Sequence, residues 1–78
     1  MATAKEEREK AARGEGCLGK AADDEPVFIL RGQDMLADSL VATWAILASK
    51  HGCNREKITE ALSLAEKMRA WPNRKFPD

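Results

Sequence analysis

Tyrosine is absent from this 78-residue sequence, which holds two tryptophans, two phenylalanines, two cysteines and one histidine. Cys17 lies in a glycine-rich charged stretch and Cys53 in a turn signal, so no disulfide framework is expected. His51 beside Cys53 supplies two ligands where a structural zinc site takes about four, so no metal is expected. No apolar run approaches the roughly 18–20 residues of a membrane span, and the charged N-terminus lacks the apolar core of a signal peptide. The expectations are no membrane partner and a cytoplasmic location. An excess of charge is missing too. Thirteen basic side chains balance thirteen acidic ones, leaving no electrostatic footprint for nucleic acid. Catalytic patterns are missing as well: no carboxylate pair shares an apolar face, Ser39 and Ser63 have no histidine at helical spacing, and the glycines form no phosphate loop. A non-enzymatic protein without cofactor follows.

What is present is periodicity between Asp34 and Trp71. Leu36, Leu40, Val41, Trp44, Leu47 and Ala48 recur at three- and four-residue steps and predict one helix over about 34–51. Asp34 is its candidate N-cap, and Lys50, His51 and Gly52 form its stop. Asn54 opens a second helix over about 55–71, striped by Ile58, Ala61, Leu62, Ala65 and Met68 and ended by Pro72. A linker this short makes the helices antiparallel neighbours. The predicted fold is all-α: an antiparallel two-helix hairpin behind a short extended segment.

Size adds a constraint. Domains of roughly 70–80 residues have little margin of buried apolar surface, and a lone hairpin leaves one side of each stripe bare. Assembly into a homo-oligomeric helical bundle is the expected remedy, with Phe28, Leu36, Leu40, Trp44 and Leu47 as the candidate subunit interface. Trp44, mid-stripe, reads as core or interface rather than as a ligand platform.

Upstream, residues 4–13 are strong helix formers without an apolar stripe, Gly14, Gly16 and Gly19 interrupt them, and residues 21–25 form an acidic linker. Residues 1–25 are therefore expected to be a disordered or frayed charged tail. The second region, residues 26–78, is mildly basic. Its opening, Pro26-Val27-Phe28-Ile29-Leu30, reads as an extended segment, preferably lying across the open stripe rather than pairing with its copy. Residues 73–78 form an extended basic C-terminus in which Phe76 is a candidate anchor.

The run Glu25-Pro26-Val27-Phe28-Ile29-Leu30-Arg31-Gly32-Gln33-Asp34, with Leu36-Ala37, Val41 and Trp44-Ala45 on the following turns, resembles small uncharacterised proteins of tailed bacteriophages and prophages. The ending, Met68 and Trp71 before a basic tail closing in Pro77-Asp78, is similar to that group as well. The resemblance covers roughly residues 25–78 and transfers no activity and no functional residue. It implies a context: small oligomeric proteins that counter host defence by sequestering a nucleotide signal or blocking a host protein.

One cluster follows from hairpin geometry. Folding about residues 52–53 brings Trp71 beside the start of the first helix. Arg31, Gln33, Arg69, Trp71, Asn73, Arg74 and Lys75 then converge at the open end, where guanidinium groups, an aromatic ring and a helix N-terminus suit a nucleotide-like anion. The plainer alternative pairs Arg31 with Asp34, packs Trp71 in the core and leaves the tail charges in solvent. Sequestration of a nucleotide-like ligand is the first functional expectation. A protein-binding inhibitor or adaptor acting on a host protein through its apolar surface is the alternative, and a nucleic-acid binder ranks third.

Overall fold

In the computed structural model residues 2–77 are described. They form four helices, α1 (Ala4–Ala12), α2 (Gly16–Lys20), α3 (Ala37–Lys50) and α4 (Arg55–Arg69), with no β-strand among the described residues. The fold is all-α. Helix contacts fall into two pairs, α1 with α2 and α3 with α4.

The turn joining α3 to α4 explains itself residue by residue. Gly52 sits at φ +68°, where a side chain would be strained, and its amide donates to the Ser49 carbonyl at 3.1 Å. Cys53 donates to Ala48 at 3.0 Å, completing the Schellman pattern that satisfies carbonyls otherwise left open at a helix end. Asn54 Oδ1 then accepts from the amides of Glu56 at 2.8 Å and Lys57 at 3.4 Å, capping α4. The chain reverses within a few residues, and the first turn of α3 meets the last turn of α4 through Asp38 and Arg69.

The seam between these helices is made of small residues. Ala37, Ala45 and Ala48 of α3 are buried, with Ala65 and Met68 of α4. This departs in part from the face read in the sequence, of which Ala48 is buried and Val41 half-buried. Leu36, Leu40, Trp44 and Leu47, expected along the first helix's stripe, each remain about half exposed. The buried positions are the next residues along, 37, 45 and 48, with Val41 half-buried between them. A one-residue offset rotates an α-helix by about 100°, so the contact has turned from the leucine and tryptophan stripe to the alanine stripe. Alanine lets two backbones approach closely, and the rotation also carries Asp38 to its partners on the far side of the pair. On α4 the expected stripe holds except at Leu62, which is exposed.

A tight alanine seam has a testable consequence. Ala45 is 1% exposed, so Ala45→Leu must push the helices apart. The expected loss is about 1–3 kcal/mol, the usual cost of overpacking, read as a lower melting temperature. An unchanged melt would show that the seam yields without strain.

Residues 26–30 take no regular structure and do not supply the expected cover for the stripe: Phe28 is 84% exposed, and only Leu30 is half-buried. The four stripe residues stay open because Val27, Phe28 and Ile29 are themselves spread in solvent. Upstream, α1 is capped by the Thr3 hydroxyl and buries no side chain, in keeping with its polar surface. Gly16 and Gly19, read as interruptions, lie inside α2. A Cβ at Gly19 would stand 2.9 Å from the Gly14 carbonyl carbon, so the close approach of α2 to the end of α1 needs glycine there.

Candidate functional site

The open end of the α3–α4 pair is built by the C-terminal segment folding back beside residues 31–35. Lys75 N donates to Gln33 O at 2.7 Å and Met35 N to Lys75 O at 2.9 Å, forming an isolated parallel bridge at Asp34 and Lys75. This pairing also explains why α3 begins at Ala37 rather than at Asp34. With the Met35 amide engaged by the tail, the Asp34 carboxylate accepts the Leu36 amide at 2.8 Å and shapes a turn ahead of the helix.

Asp38 and Arg74 hold the arrangement together. The Arg74 guanidinium donates through Nε to Gly32 O at 3.0 Å, and through Nη2 to Asp34 O at 2.6 Å and Asp38 Oδ1 at 2.9 Å. Arg69 Nε reaches the other carboxylate oxygen of Asp38 at 3.2 Å. The side chains of Asp38 and Arg74 are each 11% exposed, whereas that of Arg69 is 66% exposed, so Arg74 is the principal partner and Arg69 a solvent-screened one. The Arg74 hydrogen bond, opposed by burial and supplemented by Arg69, holds the Asp38 carboxyl below its usual pKa.

Beside this clamp lies a shallow groove of about 180 Å³, lined by Ile29, Arg31, Gln33, Asp34, Lys75, Phe76 and Pro77. Of the residues expected at the open end, Arg31, Gln33 and Lys75 come together in the groove. Arg69 and Arg74 turn to Asp38 instead, and of these two expected cationic ligands the largely enclosed Arg74 is committed to holding the fold. Trp71 is 58% exposed and stands over Gly32, where an added Cβ would touch its Cβ and Cγ at 3.5 Å. Asn73 takes φ +59° in the turn that returns the tail. The plainer alternative is not met either: the Asp34 carboxylate caps Leu36, no ion pair engages Arg31 among the described residues, and Arg74 is buried rather than solvated.

Asp38 was missed in the sequence because it falls off the apolar stripe. A signal did exist: folding about residues 52–53 sets position 38 roughly opposite position 67, within a turn of Arg69. Among the described residues no group of three His, Cys, Asp or Glu side chains could hold a metal ion. No helix of the described residues is long and apolar enough to cross a membrane. Comparison with known protein families, curated proteins and solved structures finds no match for this chain.

Proposed function

We propose that this chain is a small assembly and binding module that acts by contact rather than by catalysis. Its working unit is an antiparallel two-helix hairpin, α3 and α4, that packs with further copies into a homo-oligomeric helical bundle. The observation that carries the reading is the α3 face. Leu36, Leu40, Trp44 and Leu47 lie on one side of the helix, each about half exposed, while the hairpin's own seam is mostly alanine. A contiguous apolar face of this kind on a small domain marks a surface that is covered in use. Phe28, named with these four as interface from the sequence, is 84% exposed. Light scattering at micromolar concentration tests the reading: a mass at least twice that of the chain supports it, and a monomer overturns it.

The groove supports a ligand role for the assembled protein. Arg31 offers a guanidinium with no competing ion pair among the described residues, next to Gln33 and the exposed Phe76 ring. About 180 Å³ falls below the roughly 300–1,000 Å³ of most small-molecule pockets, so one chain accommodates the anionic head of a nucleotide-like ligand rather than the whole of it. Arg31→Ala should leave the melting temperature within about 2 °C of the parent, because it removes a surface side chain that has no ion-pair or hydrogen-bond partner among the described residues. It should abolish binding of nucleotide probes such as cyclic dinucleotides, measured by calorimetry. Undiminished binding in the variant would remove the groove from consideration. In the phage context suggested by the resemblance, such a module would counter host defence by holding a signal molecule. A host protein seated on the α3 face is the alternative, and a monomer whose mass rises only with that partner would favour it.

A further inference from the structure

The residues of the bare α3 face step by four, four and three positions, so on a reversed helix each falls within about one residue of another member of the set. Set against a second α3 running the opposite way, with a two-fold axis passing near Val41 and Ala42, Leu36 meets Leu47 of the second copy and Leu40 meets its Trp44. Each tryptophan then lies against a leucine, and the two large rings do not collide at the axis. In the parallel arrangement Trp44 would face its own copy, and each leucine likewise.

Charge and polarity favour the same occupant. From Ser39 to Ser49 helix α3 carries no charged side chain, so the face offers nothing to steer a charged partner and nothing to repel its own copy. Thr43, the hydroxyl nearest the stripe, already donates to the Ser39 carbonyl at 2.8 Å, so its proton keeps a partner when the face is covered. Asp38 is held on the opposite flank by Arg69 and Arg74. Antiparallel pairing also sets the negative C-terminal end of one helix dipole beside the positive N-terminal end of the other. The need for cover is internal to the chain, since an alanine seam buries little apolar surface for its length.

We infer that the α3 face is occupied by the α3 helix of a second copy of this chain, packed antiparallel so that Leu36 and Leu47 of the two copies are apposed. This rests on the assembly reading above and specifies its partner and geometry. The test uses the full chain with both exposed cysteines replaced, Cys17→Ser and Cys53→Ser, and one new thiol per variant. Leu36→Cys and Leu47→Cys proteins are each treated alone, and then as a mixture, with a short bis-maleimide, and light scattering is run on every sample before treatment. The expected result is a mixed covalent dimer at least tenfold more abundant than either self-linked product. Self-linked Leu36→Cys as abundant as the mixed product would overturn the antiparallel arrangement in favour of a parallel one, while leaving the assembly reading standing. An assembled protein that yields no covalent dimer in any sample would likewise overturn the inference alone, placing the contact on another face. Monomeric masses for the parent and the variants would overturn both.

Discussion

Leu40→Glu should convert the proposed assembly to monomers at every concentration accessible to light scattering. Leu40 is about half exposed in the single chain, so a carboxylate there is solvated in the monomer and should cost within about 1 kcal/mol of the chain's own stability. Covering the face changes the accounting. Each copy would carry an unpaired carboxylate into an apolar contact, and the effective penalty is several kcal/mol per ion, incurred twice across a two-fold interface. The α3 sequence supplies no compensating cation until Lys50. Ile46→Glu provides the control, because Ile46 is similarly exposed but lies about 120° around α3 from Leu40. Loss of mass in Leu40→Glu with mass retained in Ile46→Glu is the expected pair of results. Dissociation by both variants would mean that any charge on α3 is disruptive, and dissociation by neither would place the contact elsewhere.

Arg74→Ala should release the C-terminal segment while leaving α3 and α4 folded. Removing the guanidinium deletes hydrogen bonds to Gly32 O, Asp34 O and Asp38 at one stroke. Hydrogen bonds from a charged donor are worth about 1.5–3 kcal/mol each, and their loss should destabilise the docked segment by at least about 2 kcal/mol. The natural readout is amide hydrogen exchange at Met35 and Lys75, whose N–H groups are bonded only when the tail is docked. Both should lose protection, with the amides of the alanine seam unaffected. Lysine at this position should restore little, because it cannot place donors on two carbonyls and a carboxylate together. Slow exchange at Met35 in Arg74→Ala would show that the backbone bridge holds by itself. The same latch has a predictable pH response. The Asp38 pKa is lowered in the folded chain, so its contribution is in place above the ordinary aspartate pKa of about 3.9 and is lost as pH falls through the lower folded value. Protection at Met35 should therefore persist through mildly acidic solution and fail only below that range.

The same clamp bears on the groove. Arg74 draws residues 32 and 34 toward the tail, and so sets Arg31 and Gln33 on one side and Lys75 and Phe76 on the other. Arg74→Ala should thus weaken any ligand binding through lost positioning, whereas Arg31→Ala weakens it with the Met35 amide still protected. The two variants separate building the groove from contacting a ligand.

Helical periodicity and the turn at Gly52 and Asn54 could be read from the residues because each is a local preference, a positive φ or an amide cap, whereas α4 ends at Arg69, two residues short of the limit that Pro72 sets. Convergence of Arg31, Gln33 and Lys75 at one end could be read as well, since a short linker leaves two neighbouring helices little choice of direction. Which side of the broad α3 stripe turns inward, the edge with Val41 and Ala48 or the edge with the leucines and Trp44, could not. Two stripes one residue apart, leucine and tryptophan on one and alanine on the other, are both apolar and both helical in period. Local pattern favours the bulkier, whereas close backbone packing and the reach of Asp38 to Arg74 favour the smaller. The fate of the arginines was decided in the same way. Arg69 and Arg74 look like ligand-binding cations until a carboxylate more than 30 positions away in the chain is folded against them. Distances across the fold, not spacing along the chain, determine which charges remain to meet a ligand.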